Sequence, residues 1–131
     1  MKVISEIELF NYLKINVYPD LVMSRKPMSR WDCYSPDQFH RIELKCRGKH
    51  YDTLLLEKKK YDALHLKCSD NIDTPIYINS TPKGVFRFNL FQINPKWEIQ
   101  YHNTTTHFSN NKKIAKEVAM LPVVDAEILW V

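Results

Sequence analysis

WDCYSPDQFHRIELKCR, residues 31–47, divides into two short extended runs about a polar turn: 31–34, the turn Ser35-Pro36-Asp37-Gln38, and 39–47. In the second run Ile42, Leu44 and Cys46 alternate with Arg41, Glu43, Lys45 and Arg47. That period of two puts apolar and charged side chains on opposite faces of a strand. A carboxylate and an ammonium side by side make a poor core and a good metal site. Pairing about the Pro36 turn brings the Asp32 carboxylate beside Glu43. Two carboxylates on adjacent strands suit Mg²⁺, a hard cation that prefers oxygen ligands and keeps several waters. Lys45, on the face of Glu43, is placed to orient or activate a metal-bound water.

An aspartate followed, across a hairpin, by Glu-x-Lys resembles the PD-(D/E)XK nuclease superfamily, and within it the small single-domain members: archaeal Holliday-junction resolvases, VRR-NUC domains and phage-borne relatives. The matching residues are Asp32, Glu43 and Lys45, and the resemblance extends over residues 5–91. It implies a restriction-endonuclease-like α/β fold, a mixed central sheet flanked by helices. It also implies a Mg²⁺-dependent deoxyribonuclease, with Mn²⁺ as a substitute ion. Asp32, Glu43 and the backbone carbonyl of Leu44 would hold the metal, and Lys45 would assist the attacking water. Trp31 stands where the family's Pro-Asp dipeptide has proline. Pro36-Asp37 lies too close to Glu43 for two strands to intervene, whereas Asp20, after Pro19, is at a permissible distance. Asp20 and Asp32 therefore both stand as the first ligand. The second Glu-x-Lys, Glu57-Lys58-Lys59, sits in a charged run of helical character and reads as a solvated helix face.

A helix is expected over residues 5–16, with Ser5 and Glu8 in the form of a capping box. Leu9, Phe10 and Leu13 face inward, and Glu6 shares their side by its spacing. The family places a glutamate from its first helix near the metal, which makes Glu6 a further catalytic candidate. An ordinary acid favoured by the helix dipole is the alternative. Arg25, Lys26 and Arg30 form a basic loop just before Asp32, suited either to phosphates or to plain solvent.

Residues 51–68 read as a helix burying Leu54, Leu55, Tyr61, Leu64 and Leu66. The resemblance makes Lys60 and Tyr61 the residues of this helix that approach the site. Strands are expected at 76–79, 85–91 and 97–101. A helix follows over about 110–121, with Ser109 as its N-cap and Pro122 as its stop, and 125–131 closes as a strand or extended tail. The order α, hairpin, α, hairpin, strand, α, β gives a mixed α/β arrangement.

At 131 residues the chain is expected to be one domain, 1–131, able to bury a core without staples. Cys33, Cys46 and Cys68 are odd in number and lack metal-ligand spacing, so they read as reduced core thiols. With acids in MKVISEIELF and no apolar run of spanning length, this points to a cytoplasmic protein without a membrane partner. The resemblance implies a bacterial or phage-infected host cytosol. His102 and His107 read as surface histidines. Only Gly48 and Gly84 are glycines, which excludes a glycine-rich phosphate loop or dinucleotide fingerprint. A net charge of +4 permits a nucleic-acid partner without establishing one. On the nuclease reading the partner is DNA, with phosphate contacts from Arg30, Arg47 and Lys60. A domain this small has little surface for sequence reading, which favours branched, flapped or junction DNA; a homodimer would suit a symmetric junction and a monomer a flap. A non-catalytic nucleic-acid-binding accessory protein on the same fold, and a small interaction protein with Glu43 and Lys45 on a surface strand, are the alternatives.

Overall fold

Ser5 accepts a hydrogen bond from the Glu8 N–H at 3.2 Å and so starts α1 (Glu6–Asn16), whose inward side buries Leu9 and Leu13. The computed structural model describes residues 5–24, 32–69, 72–103 and 112–130. After α1 come β1 (Val22–Met23), β2 (Asp32–Ser35) and β3 (His40–Cys46), then β4 (Thr53–Glu57), which runs directly into α2 (Lys58–Ser69). There follow β5 (Thr74–Thr81), β6 (Gly84–Asn89), β7 (Glu98–Asn103), β8 (Lys113–Pro122), a 3₁₀ turn (Val123–Asp125) and β9 (Glu127–Trp130).

The central sheet has six strands in the order β1-β2-β3-β5-β6-β9. It is mixed: β3 and β5 are parallel, and the other neighbours are antiparallel. Parallel neighbours need a crossover, and here β4 and α2 supply it. Alternation then sorts the core. Ile42, Leu44, Ile76 and Ile78 pack with Leu9 and Leu13 of α1 on one face. Tyr77, Phe86 and Phe88 pack on the other with Leu64 of α2 and with Leu54, Leu56 and Leu121. These last three belong to a second, three-stranded sheet, β4-β8-β7. The expected mixed central sheet with flanking helices is present.

Two expected helices are corrected. Residues 53–57 form β4, paired with β8, and only Lys58 onward is helical. Leu54 and Leu56 therefore go inward with a period of two, while Leu66 is 70% exposed. The stretch read as a C-terminal helix is β8, the middle strand of the second sheet; its expected cap at Ser109 lies outside the described residues. The first turn is also shifted by one residue. Phe39 takes a φ of 54°, the left-handed region that a bulky side chain rarely enters, so it belongs to the turn.

The corrected core makes a stability prediction. Leu56, 2% exposed, packs between the sheets, and Leu56→Ala should cost about 2–5 kcal/mol. Leu66→Ala should cost less than about 0.5 kcal/mol. Urea unfolding of the two variants checks this; the helical reading of residues 51–68, which buries Leu66 and not Leu56, would reverse the order of the two losses.

On the α1 face, His40 Nδ1 lies 2.8 Å from the Tyr18 hydroxyl. Burial, with the nearby Arg87 charge, lowers the His40 pKa below its ordinary 6.5, and burial does the same for His65. Below about pH 6.5 the unfolded chain therefore takes up protons that the folded chain refuses. This part of the stability is complete above that pH and declines as pH falls through the two lowered values. NMR titration should place both imidazoles below 6.5; ordinary midpoints at both would contradict the packing.

Candidate metal centre

The β2–β3 hairpin sets the register in which Asp32 lies directly opposite Glu43. The Asp32 carbonyl accepts from the Ser24 N–H at 2.8 Å, so its backbone groups face β1 and not β3. Asp32 and Glu43 are thus a non-hydrogen-bonded cross-strand pair, the closer of the two antiparallel kinds, with Cα atoms about 4.5 Å apart. Like charges directly opposite are destabilising, and Asp32 is only 8% exposed. The pair needs cationic compensation.

α2 supplies it. Lys60, Leu64 and Lys67 recur at i, i+4 and i+7 and so share one helix face. Leu64 buries against the sheet while the lysines flank it. Lys60 Nζ lies 2.7 Å from Glu43 Oε1, and Lys67 Nζ forms an ion pair with Asp32 Oδ2. Asp32, Glu43, α2 and residues 114–117 of β8 enclose a cleft of about 910 Å³. Five acidic side chains and five lysines line it, so it is charge-balanced. Glu57 belongs to it as well, paired at 2.8 Å with Lys116; it ends a strand and is not on the solvated helix face expected for it.

The Arg47 N–H donates to the Ser80 carbonyl at 2.8 Å. The odd-numbered residues of β3 therefore direct their backbone groups toward β5, and the even-numbered ones toward β2. The Leu44 carbonyl thus points to the side of β3 on which Asp32 lies. Among the described residues no cluster of three or more His, Cys, Asp or Glu could hold a metal. The available donors are two carboxylates and a carbonyl, all oxygen, with water to complete the shell. That set fits Mg²⁺ or Mn²⁺ and not a structural zinc ion.

The other candidates fall in different places. Lys45 follows Glu43 on the same face and is exposed; the ammoniums seated on the carboxylates are those of Lys60 and Lys67. Asp20 caps the β2–β3 turn, its oxygens accepting from Ser35 Oγ at 2.9 Å and the Asp37 N–H at 2.7 Å. These bonds, the Asp37 one first, hold its carboxyl below the usual range. It lies at the far end of β2 from Asp32. Glu6 lies on α1, which covers the Ile42 and Leu44 face, and it does not line the cleft. Since α1 covers that face, Glu6 lies on the side of the sheet away from Glu43, and it adds to the burial that pushes the Cys46 thiol up to about 12.

Arg47 is engaged in the fold. Its guanidinium donates to Asn79 Oδ1 at 2.7 Å, the Leu55 carbonyl at 2.5 Å and the Tyr77 hydroxyl at 3.1 Å, which leaves it poorly placed for phosphates. Tyr61 packs against the rings of His65 and Trp97. Arg30, and with it Arg25, Lys26, Trp31 and His107, lies outside the described residues. The residue that sequence reasoning missed is Lys67. Its signal was present, a lysine two helical turns after Lys60 with a buried leucine between them.

No protein-family model matches the sequence, and no curated protein matches it. Its fold is similar to that of Archaeoglobus fulgidus Hjc, described as a Holliday junction resolvase from an archaeal hyperthermophile. The TM-score is 0.52 and the identity 12%, over 92% of this chain and 89% of the other. At that identity the likeness establishes the fold. No helix among the described residues is long and apolar enough to cross a membrane.

Proposed function

We propose that this chain is a divalent-metal-dependent endonuclease that hydrolyses phosphodiester bonds in branched, flapped or junction DNA. The observation that carries the reading is the Asp32–Glu43 pair, two carboxylates held face to face in a cleft on a fold similar to that of a Holliday junction resolvase. Asp32, Glu43 and the Leu44 carbonyl would hold Mg²⁺ or Mn²⁺. A bound ion of this kind polarises the phosphoryl oxygen and lowers the pKa of water. The chain's own part is to fix the donors on adjacent strands, to bury Asp32 and to bring cations to the phosphate. Lys45, on the face of Glu43 and exposed, is suited to stabilise charge that develops on the phosphate in the transition state. Lysines of the cleft would contact neighbouring phosphates, giving affinity without sequence information.

The pairing of both carboxylates with lysines favours one other reading, a nucleic-acid-binding accessory protein in which these four groups are only an ion-pair network. A panel of labelled single-stranded, duplex, flap and four-way DNAs with Mg²⁺ or Mn²⁺ tests the two. The nuclease reading expects cleavage of a branched substrate that stops on chelation. Binding without cleavage on every substrate, with both metals, would support the accessory protein.

A further inference from the structure

We propose that Lys60 and Lys67 are resident counter-ions of the Asp32–Glu43 pair, displaced when a divalent cation binds, and that their release makes nucleic-acid affinity metal-dependent. This rests on the metal-site reading above and adds to it a competition within the chain. The two ammoniums carry the same charge as one divalent ion, and they sit on oxygens of the same two carboxylates. A metal needs those oxygens, and metal and lysines together would leave excess positive charge in a tight space. The lysines can yield. Each ends a flexible four-carbon stem, and the Lys67 side chain is 41% exposed. Displacement changes the cleft as a whole: five acids and five lysines balance before the ion enters, and the cleft becomes net positive afterwards, with two freed ammoniums able to meet phosphates.

Titration calorimetry with Mn²⁺ on the wild type, Lys60→Met, Lys67→Met and Asp32→Asn tests the competition, since methionine keeps an unbranched stem without the charge. Both lysine variants should bind Mn²⁺ more tightly, on the order of tenfold, and Asp32→Asn should lose binding. Thermal unfolding guards against misfolding: the lysine variants should melt lower without metal and gain more than the wild type when Mn²⁺ is added. Four-way DNA should bind about tenfold more tightly in Ca²⁺ than in chelator, and the gain should shrink in both variants. Unchanged or weaker Mn²⁺ binding in both lysine variants, with wild-type binding intact and lost in Asp32→Asn, would overturn the competition and leave the endonuclease reading standing. No Mn²⁺ binding by any of the four proteins would overturn both.

Discussion

Asp32→Asn should reduce cleavage of the best DNA substrate by about a thousandfold or more, because it removes one of two charged ligands from an ion that provides several kcal/mol of charge stabilisation. Glu43→Gln should behave alike, since the two residues are register partners. Neither change should unfold the protein. The amides are near-isosteric, and the lysine that faces each changed residue is on a flexible stem that can turn to solvent. Asp20→Asn is the informative control. Asp20 holds the β2–β3 turn through Ser35 and Asp37, so its loss should lower stability at neutral pH, and that deficit should disappear in acid. Its folded pKa is lowered, so its contribution is full above the ordinary carboxylate range and disappears as pH falls through the folded value. Cleavage at neutral pH should remain within a fewfold of wild type. Single-turnover rates and pH-dependent melting measure both effects. A thousandfold loss in Asp20→Asn with normal activity in Asp32→Asn would reverse the assignment of the first ligand.

Lys45→Ala should lower cleavage by about a hundredfold or more while leaving Mn²⁺ affinity within a fewfold of wild type. The substitution spares Asp32, Glu43 and the Leu44 carbonyl and removes a cation that acts on charge appearing in the transition state. Substrate binding should weaken only modestly, because other lysines still neutralise phosphates. Lys45 is exposed, so no apolar cavity is created. Calorimetry, equilibrium DNA binding and single-turnover cleavage separate the three quantities. Equal cleavage by Lys45→Ala and wild type would remove Lys45 from the mechanism and shift that role to the lysines of α2.

The hairpin was legible because its determinants are local: a proline turn, strict alternation and a register fixed by turn length. A turn at 35–38 brings Asp32 near Glu43, and only its shift to 36–39, with Phe39 in the left-handed region, sets the two directly opposite. The strands β4 and β8 were not legible, because each is the other's partner and they lie far apart in the chain. Taken alone, Leu54-Leu55-Leu56 is a short apolar run that periodicity cannot assign, and KIAKEVAM is rich in good helix formers. Tertiary pairing overrode both preferences. Arg47 looked free because only the β3–β5 register brings Asn79 and Tyr77 against it. The side of Glu6 could have been read: an amphipathic helix covers the apolar face of a strand, and Ile42 and Leu44 face away from Glu43. Lys67 is legible in the same way, because Lys60, Leu64 and Lys67 share one helix face wherever the helix starts.

Anomalous diffraction from crystals soaked in Mn²⁺ would show whether the Asp32–Glu43 pair holds a divalent cation. A single strong peak is expected between the two carboxylates, with oxygen ligands at about 2.1–2.2 Å, the Leu44 carbonyl in the shell, and the Lys60 and Lys67 ammoniums moved off Glu43 and Asp32. Both lysines still seated on the carboxylates at saturating Mn²⁺, with no peak in the cleft, would contradict it.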